Sequence, residues 1–340
     1  MKKVSIIVPA YNSQNTLVRA LGSLVNQTLE DIEIIIVNDA STDATWEIMK
    51  ECEKQFPDKI VIVDGGTNRG SGGARNQGFD LARGEYIGLV DSDDYVASNM
   101  YELLYNEAKR GDYDIVDCGY YREAKDEARI YTSDELTGEL DDNKRKALIR
   151  GGGYLTTKIF KKELWNDPPI RMREKVKCLE DTEILIYMFL RAKNIGNVKE
   201  VLYNYCNSEG STSKTRDLDE YFNSVYGAMG AVYEVCGNRP EYAGCREMIE
   251  YAMARMYSYG INRCIYDRIV EYGASPDKVK SYFDSLGEKE VEMLNKLAEL
   301  KTKVLELSYD DNPEIMSRIT PTDIAIMREC DNRYGRRYQQ

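Results

Sequence analysis

The sequence contains no histidine. That absence removes a Ser-His-Asp triad, a Cys-His pair and a histidine-ligated zinc from anything the chain does by itself. A general base must then be Asp, Glu, Lys, Tyr or Cys. A metal would be held by oxygen, which favours Mg²⁺, Mn²⁺ or Ca²⁺. Long apolar runs are also missing, and none approaches the roughly 18 to 20 residues that span a bilayer. The opening "MKKVSIIVPAYN" carries a short apolar core interrupted by Pro9 and Asn12, so it reads as a first strand and not as a signal peptide. The eight cysteines form no C-x-x-C pair and follow no regular spacing. They indicate reduced thiols in a cytoplasmic protein and not a disulfide framework. Acidic residues outnumber basic ones, 58 to 46, and the formal net charge of −12 argues against broad nucleic-acid binding. Two local basic clusters remain, Arg171/Arg173/Lys175/Lys177 and Arg333/Arg336/Arg337.

What is present suits a soluble globular chain of two domains: 340 residues, 42% hydrophobic and 31% charged. The first 120 or so residues alternate between two patterns. "VSIIVPA", "EIIIVND", "KIVIVD", "YIGLVDSDD" and "YDIVDCGYY" are apolar runs that read as strands. Between them lie "TLVRALGSLVNQ", with Leu17, Leu21 and Leu24 on one face, "STDATWEIMKECEKQF" with a capping signal at Ser41 or Thr42, "GGARNQGFDLARG", and "SNMYELLYNEAKRG". Unbroken apolar strands alternating with helices predict a mostly parallel sheet covered on both faces. In such sheets ligands bind beyond the carboxyl ends of the strands. Asn12, Asp39, Asp64 and the trio Asp91, Asp93, Asp94 all fall at those ends. Residues 122–150 read as a polar connecting excursion, "TKIFKKELW" as strand into helix, and "CLEDTEILIYMFLRAKN" as a strong helix with Glu180, Asp181 and Glu183 in its first turn. Beyond about residue 215 the spacing is helical throughout, which predicts a separate all-helical module. Its many tyrosines at helical spacing read as core or a partner surface, with sugar stacking as the alternative.

The acidic turn "DSDD" at 91–94 has several readings. An EF-hand loop is excluded because Tyr95 and Val96 stand where an oxygen ligand and a glycine belong. One aspartate would be a plain turn or helix cap, and a nucleophilic aspartate would want a supporting lysine and acidic pair downstream. The remaining reading is a divalent metal shared with a phosphorylated ligand, since Mg²⁺-like ions take one or two carboxylates and complete their shell with water and phosphate oxygens. The glycine-dense "GGTNRGSGGARNQG" is neither a P-loop nor a dinucleotide fingerprint: no Gly-Lys-Ser/Thr follows, and Arg75 stands where a glycine is required. It reads either as a flexible loop or as a segment placing Asn68, Arg75 and Asn76 against a nucleotide.

"VSIIVPAYN", "IIIVNDASTD", "NRGSGGARNQG", "YIGLVDSDD" and "CLEDTEIL" follow one another in the order and approximate spacing of family 2 glycosyltransferases, and residues 3 to 215 resemble that family. The resemblance implies a GT-A fold over 1–215 followed by a helical module over 216–340. It implies inverting transfer from a nucleotide-sugar, most simply a UDP-sugar, with Mn²⁺ or Mg²⁺. The acceptor would be a saccharide or a lipid-linked saccharide of cell-surface polysaccharide assembly, and the place the cytoplasm or the inner face of the plasma membrane. By the same resemblance Pro9, Tyr11 and Asn12 line the nucleoside pocket, Asp39 hydrogen-bonds the base with Asp43 nearby, and Asn68 and Arg75 shape the donor pocket. Asp91 and Asp93 form the metal-holding D-x-D, with Asp93 the more direct ligand, Asp91 nearer the ribose or sugar and Asp94 as a substitute. Asp181 is the catalytic base. The helical module is a surface for acceptor, partner or peripheral membrane contact. One departure stands out. In "YNYCNSEGSTSKT", Cys206 and Ser208 occupy positions where many relatives are basic, and Lys214 or Arg216 would have to reach the diphosphate instead. A non-catalytic nucleotide-sugar binder or scaffold is the alternative. A nucleotidyltransferase would want a glycine-rich basic loop after the first strand, which "PAYNSQNT" lacks.

Overall fold

The computed structural model describes residues 1–166, 169–176, 178–206, 217–237, 239–305 and 309–335. The chain divides into two compact units, Met1–Val176 with Glu180–Lys214, and Lys177–Leu179 with Thr215–Gln340.

The first unit is built on one ten-stranded mixed sheet. Its strands are β1 (Val4–Ala10), β2 (Ile32–Asn38), β3 (Ile60–Asp64), β4 (Tyr86–Leu89), β5 (Tyr95–Val96), β6 (Ile115–Arg122), β7 (Glu127–Arg129), β8 (Gly138–Glu139), β9 (Lys158–Lys161) and β10 (Asn194–Tyr205). They run in the order β3-β2-β1-β4-β9-β6-β10-β5, with β7 on β6 and β8 on β10. β1 through β4 are mutually parallel; β9 runs against both β4 and β6, and β10 runs along β6. The carboxyl ends of β1–β4, β6 and β10 therefore share one edge, together with the amino end of β9. Every residue of β1 and β2 is buried, because helices cover both faces. On one face β1 contributes Val4, Ile6 and Val8 to a core shared with Leu17, Leu21 and Leu24 of α1 (Leu17–Val25) and with Leu104 of α4 (Met100–Gly111). On the other face lies α3 (Gly70–Leu81). It comes close because Gly78 has no side chain: a Cβ there would meet Ile7 Cγ2 at 2.4 Å. The first-unit helices are completed by α2 (Thr45–Gln55), α5 (Asp142–Gly151) and α6 (Glu180–Arg191).

Several expectations change in detail. The sheet is mixed, because β9 enters it antiparallel. The polar excursion 122–150 holds two short strands and α5. β10 is the longest strand, yet its apolar residues do not run together: register shifts between Val198, Val201 and Tyr203 break the alternation, and Lys199–Val201 are exposed. The signal at Ser41 or Thr42 does not cap α2. The helix starts at Thr45, whose amide donates to Asp43 Oδ1 at 3.0 Å.

The second unit contains α7 (Leu218–Val232), α8 (Arg246–Cys264), α9 (Tyr266–Tyr272), α10 (Val279–Phe283), α11 (Glu288–Val304), α12 (Pro313–Arg318) and α13 (Pro321–Tyr334). Much of its tyrosine content is core. Tyr257 and Tyr309 are buried and both donate to Asp331, at 2.8 and 2.6 Å. Among the described residues no helix is long and apolar enough to cross a membrane. The basic clusters are spent on ion pairs: Arg171 with Asp80, Arg173 with Glu183, and Arg333 with Asp284 and Glu329. Lys177, Arg336 and Arg337 lie outside the described residues.

Candidate active site

The rim at the carboxyl edge gathers polar residues that are far apart in sequence. Pro9 lies inside β1, opposite Val37 of β2. Alternation turns its backbone toward β4, which already ends at Leu89 opposite Ile7, so the missing N–H breaks no ladder bond. Tyr11 follows, 51% exposed, with an edge free to meet a ligand. Asn12 adopts a left-handed backbone (φ 48°), and its Oδ1 accepts from the Thr42 amide at 2.8 Å, tying the end of β1 to the segment after β2. Ser13 and Ser92 share a 2.7 Å hydroxyl contact that joins this segment to the acidic turn.

Asp39 is 4% exposed and serves the helix behind it. Its Oδ1 accepts from the Arg69 amide at 2.7 Å and its Oδ2 from the Gly70 amide at 2.8 Å, satisfying two orphan donors at the start of α3. Burial still pushes its carboxyl above the usual range, against those two bonds. Asn68 is exposed and donates to the Asp39 carbonyl at 3.2 Å. Asp43 sits at the start of α2, where its Oδ2 accepts from the Gln14 amide at 3.1 Å. Asp64 is exposed and binds the Gly66 amide of its own turn.

Arg75 organises the centre. It is 2% exposed, projects from α3, and forks between two carboxylates. One amino nitrogen donates to Asp91 Oδ1 at 2.7 Å and the other to Asp181 Oδ1 at 2.8 Å. The acidic turn after β4 and the start of α6 are thereby joined through a residue of the glycine-rich segment. That segment is helical from Gly70 onward and is not a flexible loop. A Cβ at Gly72 would meet the Arg173 carbonyl oxygen at 2.4 Å, so the glycine lets the 172–175 strip lie against α3. Asn76 locks the strip by exchanging two 2.8 Å bonds with the Met172 backbone.

The charges in this centre depend on one another. Burial opposes the positive charge on Arg75, but Asp181, Asp91 and Glu180 outweigh it, so the guanidinium stays protonated. Removal from water raises the Asp181 carboxyl; Arg75 opposes the rise and Asp91 adds to it. Glu180 is pushed up to about 7 by burial and by the neighbouring Asp181 charge. Ser71 donates to Glu180 Oε1 at 3.2 Å. Asp91 and Asp181 are each about a third exposed, at 33% and 34%. Among the described residues each uses only its Oδ1 in a hydrogen bond, which leaves both Oδ2 atoms without a partner there.

The three aspartates of the turn have different surroundings. Asp93 is half-buried and its carbonyl accepts from Arg19 at 2.7 Å; Arg19 also stacks on Tyr95 at 5.2 Å. This cation beside the turn escaped the sequence reading, since nothing in "TLVRAL" marks it. Asp94 is 1% exposed and turned inward. Its Oδ2 accepts from the Tyr203 hydroxyl at 2.6 Å and its Oδ1 from the Cys206 amide at 2.7 Å. Burial and then the Asp91 charge push it up to about 8. Asp94 thus anchors the end of β10 to the turn, while Asp91 and Asp93 are half-buried. Cys206 is buried, and its backbone, not its side chain, holds Asp94. Ser208, Lys214 and Arg216 lie outside the described residues.

The donor set is all oxygen. Among the described residues no three Asp, Glu, Cys or His side chains are gathered into a cage. Asp91 and Asp93, with an open carboxylate oxygen at Asp91, suit an ion that completes its shell with water and phosphate.

The chain matches the model of the family described as Glycosyl transferase family 2 over residues 5–166. It is 34% identical over 247 residues to a protein of Bacillus subtilis (strain 168) named uncharacterized glycosyltransferase EpsJ, covering 69% of this chain and 70% of that one. It is 33% identical over 206 residues to a poly(ribitol-phosphate) beta-glucosyltransferase of Bacillus spizizenii, covering 60% of this chain and 32% of that longer relative. The crystal structure of S. aureus TarS 1-349 in complex with UDP-GlcNAc superimposes with a TM-score of 0.68 at 22% identity, covering 99% of this chain and 93% of TarS 1-349.

Proposed function

The chain belongs to glycosyl transferase family 2, and from that premise we propose an inverting transfer of a sugar from a UDP-sugar to a saccharide or lipid-linked saccharide of a cell-surface polysaccharide, carried out in the cytoplasm. The observation that carries the proposal is the fork of Arg75, which brings the acidic turn and the start of α6 into one site. Pro9, Tyr11, Asn12, Asp39 and Asn68 border the nucleoside. Asp91 and Asp93 hold the divalent cation. When bound, Mn²⁺ or Mg²⁺ supplies charge neutralisation for the departing nucleoside diphosphate.

The chain's own residues do the rest. Arg75 holds Asp181 Oδ1 and opposes the rise that burial imposes on that carboxyl. The open Asp181 Oδ2 takes the proton from the acceptor hydroxyl as it attacks the anomeric carbon from the face opposite the nucleotide. Such general-base help is worth ~10² to 10⁴-fold. Arg19 places a second cation beside the turn, where negative charge grows as the C1–O bond breaks.

A thermal-shift panel of UDP-, GDP- and dTDP-sugars, with and without Mn²⁺, tests the donor side. Stabilisation by UDP-sugars that needs Mn²⁺ is expected. Asp181→Asn should keep UDP affinity and lose transfer. A chain that no nucleotide stabilises, or an Asp181→Asn variant that transfers as the parent does, would sink the proposal.

A further inference from the structure

The same rim continues past the acidic turn into an aromatic cluster. Tyr120 and Arg122 come from the end of β6, Tyr131 from the segment after β7, Tyr154 from the approach to β9, and Tyr205 from the end of β10. Tyr154 and Tyr205 are stacked at 6.1 Å with 14° between planes; Tyr120 and Tyr131 are stacked at 5.6 Å; Tyr154 meets both of the latter edge-on. Tyr120 is buried, whereas Tyr131, Tyr154 and Tyr205 are half-buried and pack against the core from the rim side. Tyr205 is one residue from Cys206, whose amide holds Asp94, so the cluster adjoins the acidic turn.

Two observations set this cluster apart from ordinary core. The first is its foundation. Asp117 of β6 and Lys158 of β9 form a fully buried ion pair at 2.9 Å. Asp117 also accepts from Thr132 at 2.7 Å and Thr157 at 2.6 Å, and Lys158 donates to the Tyr154 carbonyl at 3.0 Å. A buried pair is expensive to desolvate. This one fastens the two segments that carry Tyr131 and Tyr154. Gly153, at φ +78°, adds to the fit: a Cβ there would meet the Tyr131 ring at 2.4 Å. The second is Arg122. Its guanidinium lies over the Tyr205 ring at 5.7 Å and makes no hydrogen bond or ion pair among the described residues, and its Nε is buried without a partner. Its two amino nitrogens are not among the buried atoms and have no acceptor among the described residues, so they can take one from a ligand.

We propose that Tyr131, Tyr154 and Tyr205 form the platform on which the acceptor saccharide stacks, and that Arg122 binds an anionic group, phosphate or carboxylate, carried by that acceptor. Aromatic faces take the apolar face of a pyranose while its hydroxyls stay hydrated at the edge. The guanidinium fork suits both phosphate and carboxylate. The proposal names the acceptor side of the transfer site above and rests on that assignment.

The test uses the full chain and saturation-transfer NMR with three probes: methyl glucoside, its 6-phosphate and methyl glucuronide. The charged probes should bind about tenfold more tightly than the neutral one. Tyr154→Ala should weaken all three by about tenfold, and Tyr154→Phe should restore them. Arg122→Gln should abolish only the preference for charge; whichever charged probe loses more identifies phosphate or carboxylate as the group bound. UDP affinity with Mn²⁺ should be unchanged in every variant. Equal affinity of the parent for all three probes, or variants that melt and bind like the parent, would overturn the proposal. Loss of UDP binding in the parent with probe binding intact would instead refute the donor assignment and leave the platform standing.

Discussion

The two halves of the rim are built on different physics. Past β1–β4 the polar groups are held by charge: Asp39 caps α3, and Arg75 forks between Asp91 and Asp181. Past β6, β9 and β10 the rim carries a cluster of tyrosine rings, and the Asp117–Lys158 ion pair is buried beneath it. In the first half burial, adjusted by neighbouring charges and hydrogen bonds, holds the carboxyls of Asp39, Glu180 and Asp181 above their usual range. In the second half the Asp117–Lys158 charge is structural, and half-buried tyrosine rings lie beside the Arg122 guanidinium, which has no hydrogen bond or ion pair among the described residues. A glycosyl transfer needs both kinds of surface: one that stabilises a departing anion and one that grips an uncharged ring.

The most damaging change to the charged half should be Arg75→Met. Asp181 and Asp91 lose their common partner, and the proposed base loses its fixed position. Misplacement by about 1 Å costs on the order of 10²-fold in rate, so transfer should fall at least that far while the fold survives. Arg75→Lys should recover only part, because an ammonium does not fork between two carboxylates in one plane. Initial-rate measurements beside circular dichroism melts decide it; an Arg75→Met enzyme within a few-fold of the parent would show the two carboxylates to be independent.

The corresponding break in the aromatic half is Asp117→Asn. It leaves Lys158 charged and fully buried, at a cost of about 3–5 kcal/mol, read in urea unfolding. The paired replacement Asp117→Leu with Lys158→Met should regain much of that loss. The comparison sharpens if this variant recovers stability and UDP affinity but not acceptor binding, since Tyr154 would have lost the bond that fixes its backbone.

The halves also differ in how far the sequence reveals them. In the charged half Asp39 and Asp91 are legible because they stand at strand ends and Arg75 because it lies in a glycine-dense segment, whereas Asp181 reads locally as a helix-start charge and stands out only through the family resemblance. Their pairing is not legible. Nothing in "GGARNQG" says that Arg75 faces two carboxylates, 16 and 106 residues away. Asp94 was open to the same role as its neighbours, and only β10 shows it turned inward. The aromatic half is nearly invisible, because Tyr120, Tyr131, Tyr154 and Tyr205 come from four segments that meet only when β9 inserts between β4 and β6. β10 was missed for a related reason: its bulges spoil the alternation that marks a strand.

A smaller effect separates support from chemistry in the charged half. Asp39→Ala removes two bonds to the start of α3 and should cost about 1–2 kcal/mol. If Asp39 also meets the base, UDP affinity falls by more than the stability change explains; if it only caps the helix, affinity follows stability. Calorimetric titration of UDP, set beside the unfolding curve, distinguishes the two.

The smallest expected effect is a pH trend. Glu180 lies at about 7 in the folded chain, raised from an ordinary 4.5 by burial and then by Asp181. Between those values the folded chain holds a proton that the unfolded chain has released. Stability from this group is therefore complete below about 4.5 and is lost as pH rises through 7. Glu180→Gln cannot release that proton, so the variant's melting temperature should rise relative to the parent's on going from pH 5 to pH 7.5, with the two converging at the acid end. Groups remote from this centre titrate in both proteins and cancel in the difference; Asp181, whose charge acts on Glu180, moves with it and is followed in the same titration. A difference that is flat, or that shrinks toward pH 7.5, would mean that Glu180 is ionised in the folded state at pH 5, and that Arg75 carries three carboxylates at once without relief from a shared proton.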